Sequence, residues 1–536
     1  MARTYRSRAT ALAAGAALAL AGAPAAAQAG EMLVVGGGEA PERVENPFLP
    51  DRAATDLGPA PRVAAAGARA AGVGGAATPT RARAARRPAT SARVARRARA
   101  RAARTAKRAR QATSRALRLA RQRKAITPAA FKRYRRIVMR SRSTERRLRG
   151  ARRAELGNAI ALVDGLALRR RLTASRLPAT MLILRRNAQY WPKQPFPPDR
   201  AHVSFRGSRL IFEYYSGNGL QLQPLVNFKQ ANLMHGACVK ESDVPCDRAG
   251  LATLLAELSA TAATRGGFKT WEYYFEFGGG IPPWISGMAQ ATAIQAFARA
   301  WELLGDDAYL KESRAALGAF RRPAPVGVRT KGPFGGVHYL QYSYASGLYI
   351  INAFMQALIG LYDYSEITGN RAARRLFHRA EPEVIKELAA NDLGDWTTYS
   401  YRGSESTREY HELVREFAAS MCSRLRRAVY CDASRSFLSY MTDPAELELL
   451  GPAMVVKGQP TSVRFSLSKL AAVQLTITHN GKTVFDQTAT FRHGQGSFAW
   501  TPRAPGVHRL RLAAKELRTG GELRSYANGV VESAPR

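Results

Sequence analysis

Residues 281–307, IPPWISGMAQATAIQAFARAWELLGDD, meet their first charge only at Arg299. A helix that carries amides and hydroxyls but no charge turns no side to bulk water. Gly305-Asp306-Asp307 breaks it, and AYLKESRAALGAF follows with its charges on one side. The same order returns in residues 348–388, LYIINAFMQALIGLYDYSEITGNRAARRLFHRAEPEVIKEL: an almost uncharged helix, a break at Gly369-Asn370, then a charged amphipathic helix. Gly305 and Gly369 lie 64 residues apart, which marks an internal repeat. Uncharged helices alternating with one-sided ones predict an inner ring wrapped by an outer ring, an (α/α) toroid or part of one.

Inside the uncharged helices the polar residues fall in stripes. Ser286 and Gln290 share a face at i, i+4, as do Asn352 and Gln356, whereas Thr292 and Gln295 point elsewhere. Buried amides need partners, so the Ser286/Gln290 face is expected to line the central cavity and Thr292/Gln295 to join an interhelical network. The first helix is expected over Trp284 to Leu304, with Pro283 in its first turn.

The amino terminus, residues 1–29, has arginines at 3, 6 and 8, then an apolar stretch of about a dozen residues ending in Ala27-Gln28-Ala29. This is the pattern of a secretory signal cleaved near Ala29, too short for the roughly twenty residues of a membrane span. The expected location is therefore secreted or at the cell surface, without a transmembrane span. Four cysteines in two close pairs, Cys238 with Cys246 and Cys422 with Cys431, suit disulfides in an oxidising compartment. No CxxC, HExxH, phosphate loop, GxSxG or dinucleotide fingerprint occurs, so neither a metal nor a cofactor is expected.

Net charge is +42, and residues 81–176 hold 33 Lys/Arg against 3 acids, +30 of that total. Such a segment attracts polyanions. Behind a secretory signal the expected partner is an acidic polysaccharide rather than nucleic acid; a homodimer is left open. Residues 30–126, rich in Ala, Arg, Gly and Pro, are expected to be a disordered linker, and 127–190 a basic helical segment. Residues 191–249 read as a small antiparallel β region turning at Arg206-Gly207-Ser208 and Ser216-Gly217-Asn218-Gly219. The toroid is expected over 250–445. Alternating strands with an Asn480-Gly481 turn predict a carboxy-terminal immunoglobulin-like β-sandwich over 446–536. The fold class is thus multidomain and mainly α.

Tyrosines concentrate in VHYLQYSYASGLY and DWTTYSYRGSESTREYHELVREF, where a phenol at a cavity edge buries its ring and keeps a polar tip. These blocks, with WEYYFEFGGGIPPWISGMAQATAIQAFARA and INAFMQALIGLYDYSEITGN, resemble the carboxy-terminal domain of D-glucuronyl C5-epimerases from about Phe205 to Arg426. The resemblance implies an incomplete (α/α) toroid preceded by β structure and inversion of C5 in glucuronate units of a heparan-type polysaccharide. It also places the essential tyrosines at Tyr342, Tyr399 and Tyr410. Inversion takes a proton from the carbon beside a carboxylate on one face and returns one on the other, which calls for two groups on opposite walls. A phenol near 10 needs a cation to act as base, and Arg402 and Arg408 are the candidates close in sequence. Gln341 stands where the family has a glutamate, so either Glu409, His411 or another tyrosine supplies the second base, or the chain no longer epimerises. Gln341, Arg402, Arg408, His411, Trp284, Gln290 and Asn352 are the expected substrate-binding residues. The rival readings are a polysaccharide lyase of the same toroid class and a non-catalytic extracellular glycan-binding protein.

Overall fold

The structure, a computed structural model, describes residues 30–36, 40–59 and 90–535. The signal reading of residues 1–29 lies outside them. The uncharged stretch folds as expected in outline: Ser286 caps a helix by accepting from the Ala289 amide, and the helix runs Gly287–Leu304. It stops at Gly305, whose φ of +75° favours a residue without Cβ. Its twin runs Ile351–Thr368 and stops at Gly369, φ +65°. The start differs from the expected Trp284. Residues Tyr273 and Trp284 pair as an isolated β-bridge instead, so Pro283 precedes the helix.

In chain order the amino-terminal elements are β1 (Gly30–Val35), β2 (Glu42–Asn46), α1 (Arg52–Thr55), α2 (Thr90–Gln122), α3 (Pro128–Arg147), α4 (Gly150–Leu168) and α5 (Leu177–Tyr190). Then come β3 (His202–Phe205), β4 (Phe212–Tyr215) and β5 (Gly219–Leu222). One sheet has the order β2-β1-β3-β4-β5, with β1 parallel to β3. Residues 30–126, expected as a linker without structure, therefore hold two strands and a long helix. In α2 the signal is a stripe of small side chains, Ala109, Thr113, Leu117 and Ala120, buried at helical spacing. Thr113 donates to Asp164 of α4 at 2.6 Å, and Ala and Arg are good helix formers.

The helical body consists of α6 (Pro224–Val239), α7 (Arg248–Thr261), β6 (Ala263–Arg265), β7 (Phe268–Thr270), α8 (Gly287–Leu304), α9 (Asp307–Ala316), α10 (Gly318–Arg321), β8 (Arg329–Lys331) and β9 (Val337–Tyr339). It continues with α11 (Ile351–Thr368), α12 (Arg371–Asn391), α13 (Arg408–Leu425) and α14 (Ala428–Thr442). Helices α6, α8, α11 and α13 pack side by side in that order, and α7, α9, α12 and α14 each back the inner helix before them. The repeat thus has four units, two more than the sequence displays. Helix α6 falls inside the expected β region 191–249: Gln223 caps it and Pro224 opens it, but its buried Asn227 and Gln230 hide the apolar period. The short α1 touches both α13 and α6 across the open side of the row.

The disulfide Cys238–Cys246 ties the end of α6 to the loop before α7, and Cys422–Cys431 ties the end of α13 to the first turn of α14. The carboxy-terminal region is strand-rich, with β10 (Leu447–Gly451), β11 (Met454–Val456), β12 (Thr461–Leu467), β13 (Ala471–His479), β14 (Lys482–Phe491), β15 (Gly494–Trp500), β16 (Gly506–Glu516) and β17 (Arg524–Ala534). Sheets β10-β12-β15 and β11-β17-β16-β13-β14 enclose a core of their own, with Val463, Phe465, Val473, Leu475 and Leu512. Lys469 and Arg518 tie this region to the helices. The Lys469 ammonium caps the carbonyls at the end of α14, and Arg518 reaches Asp395 at 2.6 Å and Glu405 at 3.1 Å.

Candidate functional site

Three tyrosines from different parts of the chain meet at the amino-terminal ends of the inner helices. Tyr410 sits in the first turn of α13, Tyr342 between β9 and α11, and Tyr399 in the bend between α12 and α13. That bend is fixed by the bridges Ile350↔Ser400 and Thr398↔Glu405. The rings of Tyr399 and Tyr410 meet edge to face at 4.9 Å. The Tyr342 and Tyr399 phenols face each other, although the buried Tyr342 hydroxyl makes no well-formed hydrogen bond. The Tyr410 hydroxyl is buried without one as well. Burial pushes the Tyr342 phenol well up, with its tyrosine neighbours adding to the effect. Burial does the same to Tyr399 and Tyr410; Asp56 raises both further, and Arg200 pulls Tyr410 the other way. In this state the three phenols are proton donors at neutral pH.

Beside them lies a charge cluster that sequence reasoning missed. Arg200 pairs with the Glu213 carboxylate on β4 at 3.0 Å and with Asp56 just after α1. Its guanidinium covers the Tyr215 ring at 4.4 Å. Glu213 is buried, and desolvation pushes its carboxyl up to about 7, with Arg200 opposing and Asp56 adding to the rise. Gln223 bridges the cluster to the helices: it accepts from Tyr273 at 3.0 Å and donates to the Thr55 carbonyl at 3.2 Å. The available signal was one acid inside an apolar strand, Phe212-Glu213-Tyr214-Tyr215, because an acid there must be buried with a partner.

Several expected binding residues turn out to be structural. Trp284 is buried in an aromatic cluster, stacked on Tyr273 at 4.1 Å with its edge toward Tyr342 at 5.8 Å, and so backs the tyrosine wall. Gln341 accepts from Ser286 at 3.0 Å, which locks the loop before Tyr342 to the start of α8. Gln290 is spent on Thr270 and the Trp271 carbonyl, so the Ser286/Gln290 face does not line the cavity. Thr292 and Gln295 line it instead, while Gln295 also donates to Asp363 at 2.7 Å. His411 is fully buried, bound at both nitrogens by Thr397 and the Phe437 carbonyl and stacked on Trp396 at 3.8 Å. Burial moves it down to about 4, so it is no base to the site. Arg402 and Arg408 are exposed, Arg402 lying over Tyr401 at 5.2 Å. Glu409 is exposed too. Asn352 is buried in the first turn of α11, where it accepts from the Ala353 amide at 2.9 Å.

Toward the other end of the inner helices opens a cavity of about 610 Å³, lined by Lys229, His235, Arg299, Gln356 and Arg424 among others. Arg299 and Arg424 both bind Asp363. Lys229 has Gln356 at 3.4 Å and the Phe417 ring at 5.1 Å, and desolvation brings its ammonium down to about 8. Residues 47–51 and Ala54 also line this cavity. A larger hollow of about 700 Å³ between α2, α3 and α4 is remote from the tyrosines. Among the described residues there is no cluster of His, Cys, Asp and Glu fit for a metal ion, and no helix long and apolar enough to cross a membrane.

Residues 265–440 match the family described as D-glucuronyl C5-epimerase C-terminus. D-glucuronyl C5-epimerase of Caenorhabditis elegans is 38% identical over 136 residues, 23% of this chain and 22% of that protein. An uncharacterised protein of Methanocaldococcus jannaschii is 27% identical over 154 residues, 28% of this chain and 50% of that one. The chain thus spans at most half the length of these relatives. Among solved structures, a GH76 α-mannanase of Bacteroides thetaiotaomicron aligns with TM-score 0.33 and 12% identity over 44% of this chain and 65% of its own. An unsaturated glucuronyl hydrolase of Bacillus sp. GL1 aligns with TM-score 0.28 and 13% identity over 41% and 61%.

Proposed function

We propose that this chain, whose residues 265–440 match the D-glucuronyl C5-epimerase C-terminus, inverts C5 of glucuronate units in an acidic polysaccharide outside the cell. The observation that carries the reading is the convergence of Tyr342, Tyr399 and Tyr410 beside the Arg200 guanidinium. Inversion needs a proton acceptor on one face of the sugar and a donor on the other. Three buried phenols packed together offer groups for both roles, provided that a cation stabilises the phenolate and the enolate-like carboxylate of the intermediate. Arg200 is the buried cation beside the phenols, and it takes the role that the sequence reading gave to Arg402 and Arg408, both exposed. Gln341, bound to Ser286, holds the Tyr342 loop and takes no proton. The pairing of four cysteines in two disulfides suits an oxidising compartment.

The test is incubation of the full chain with a desulfated glucuronate polymer in heavy water, read by NMR at C5. Deuterium at C5 with intact chains is the expected result. An unsaturated-uronate chromophore with chain cleavage would assign a lyase, and binding without exchange a glycan-binding protein.

A further inference from the structure

The segment Asn46–Gly58 runs along the open side of the inner row, from the cationic cavity to the tyrosines. Residues 47–51 line the cavity, Leu57 is fully buried, and Gly58 lies so close to the Tyr399 hydroxyl that a Cβ there would overlap it. Two carboxylates and one cation, Arg52, punctuate the segment. Asp56 is bound to Arg200, and Asp51 lines the same cavity as Lys229. A short acidic chain therefore lies where an acidic polymer would have to lie to reach the phenols.

Resting on the reading of the preceding subsection, we propose that Asn46–Gly58 is a pseudosubstrate strap: Asp56 holds the place on Arg200 that a uronate carboxylate takes, and Gly58 covers Tyr399. The two partners of Arg200 are unequal. The Glu213 side chain is 4% exposed and Asp56 is 32% exposed. When Asp56 leaves, Arg200 keeps its buried carboxylate, so no cation is stranded in the interior, which is the costly case. Asp56, the more exposed of the two carboxylates, is therefore the one able to leave, and an incoming uronate replaces it in kind. The strap stays tethered meanwhile, because β1 and β2 pair over Gly30–Asn46 and β1 is joined to β3 at Leu33↔Val203 through Val35↔Phe205.

The test compares the full chain with Asp56→Asn, and with Gly58→Ala as an independent way to unseat the strap. Deuterium incorporation at C5 of a desulfated glucuronate polymer is followed alongside amide hydrogen exchange over residues 46–58. The strap predicts at least a tenfold faster initial C5 exchange in both variants at subsaturating polymer, and faster amide exchange of the segment. It also predicts that saturating polymer deprotects the segment in the unaltered chain. Equal C5 rates in all three proteins, with the segment as protected as before, would overturn the strap while leaving the epimerase reading in place. If no protein exchanges C5, the epimerase reading falls and the amide data decide the strap. Polymer-induced deprotection of residues 46–58 supports it, and unchanged protection overturns it.

Discussion

At the residue scale the site is a contest between burial and charge. Burial holds Tyr342, Tyr399 and Tyr410 protonated, and only a cation brings a phenol into the range of a base. Tyr410→Phe is expected to slow C5 exchange by at least about 100-fold, the size of one general acid–base contribution, with little change in melting temperature because the ring remains. Undiminished exchange removes Tyr410 from the chemistry. Glu213 gives a pH signature. Its folded carboxyl titrates at about 7 rather than its ordinary 4.5, so the folded state binds that proton more tightly than the unfolded chain. This contribution to stability is whole below pH 4.5 and is lost as pH rises toward 7. Urea unfolding of Glu213→Gln across that window should show a shallower loss of stability than the unaltered chain; an identical slope would contradict the assignment. The clustering of phenols in two short blocks pointed to tyrosine in general, and it was the resemblance to the epimerase domain that singled out Tyr342, Tyr399 and Tyr410, which the fold brings together. His411 and Gln290 were misread because their partners, the Phe437 carbonyl and Thr270, come from elements that no local pattern connects to them.

At the scale of elements, the loss of charge in α8 and α11 was enough to reveal an inner layer, and Gly305 and Gly369 were enough to end both helices. Helices α6 and α13 escaped for opposite reasons. The first buries polar residues such as Asn227, which serves the Ile211 backbone; the second carries charges along its exposed side. Helix α2 escaped because alanine stripes carry little hydrophobic contrast against arginine. The Cys422–Cys431 bridge closes a short loop between α13 and α14, and its loss should cost about 2–3 kcal/mol in the chain-entropy account. Cys422→Ser/Cys431→Ser should therefore melt lower, with Tyr410 kept in place by the rest of α13. An unchanged melting temperature would show that packing alone fixes the pair.

At the scale of the whole molecule, the strand-rich region bears on the site through Arg518, with Arg492 on Glu405 and His493 and the Leu470 amide on Asp395. Arg518 is nearly buried between Asp395 and Glu405, which flank the bend that carries Tyr399. Arg518→Ala takes the guanidinium from Asp395 and leaves it the Leu470 amide and His493, a change that costs about 1.5–3 kcal/mol, the worth of a charged hydrogen bond. It should raise amide exchange over residues 392–406 and slow C5 exchange, whereas normal exchange in that bend would confine the region to an anchoring role. This link joins residues more than a hundred positions apart, so it has no trace in local sequence. The claim on which all of this depends is that the cluster of Tyr342, Tyr399 and Tyr410 handles the C5 proton of a uronate. The most direct measurement is NMR of a desulfated glucuronate polymer held in heavy water with Asp56→Asn protein. Deuterium at C5 in uncleaved chains, abolished by adding Tyr410→Phe, is the predicted result; a polymer that binds and keeps its C5 proton would contradict it.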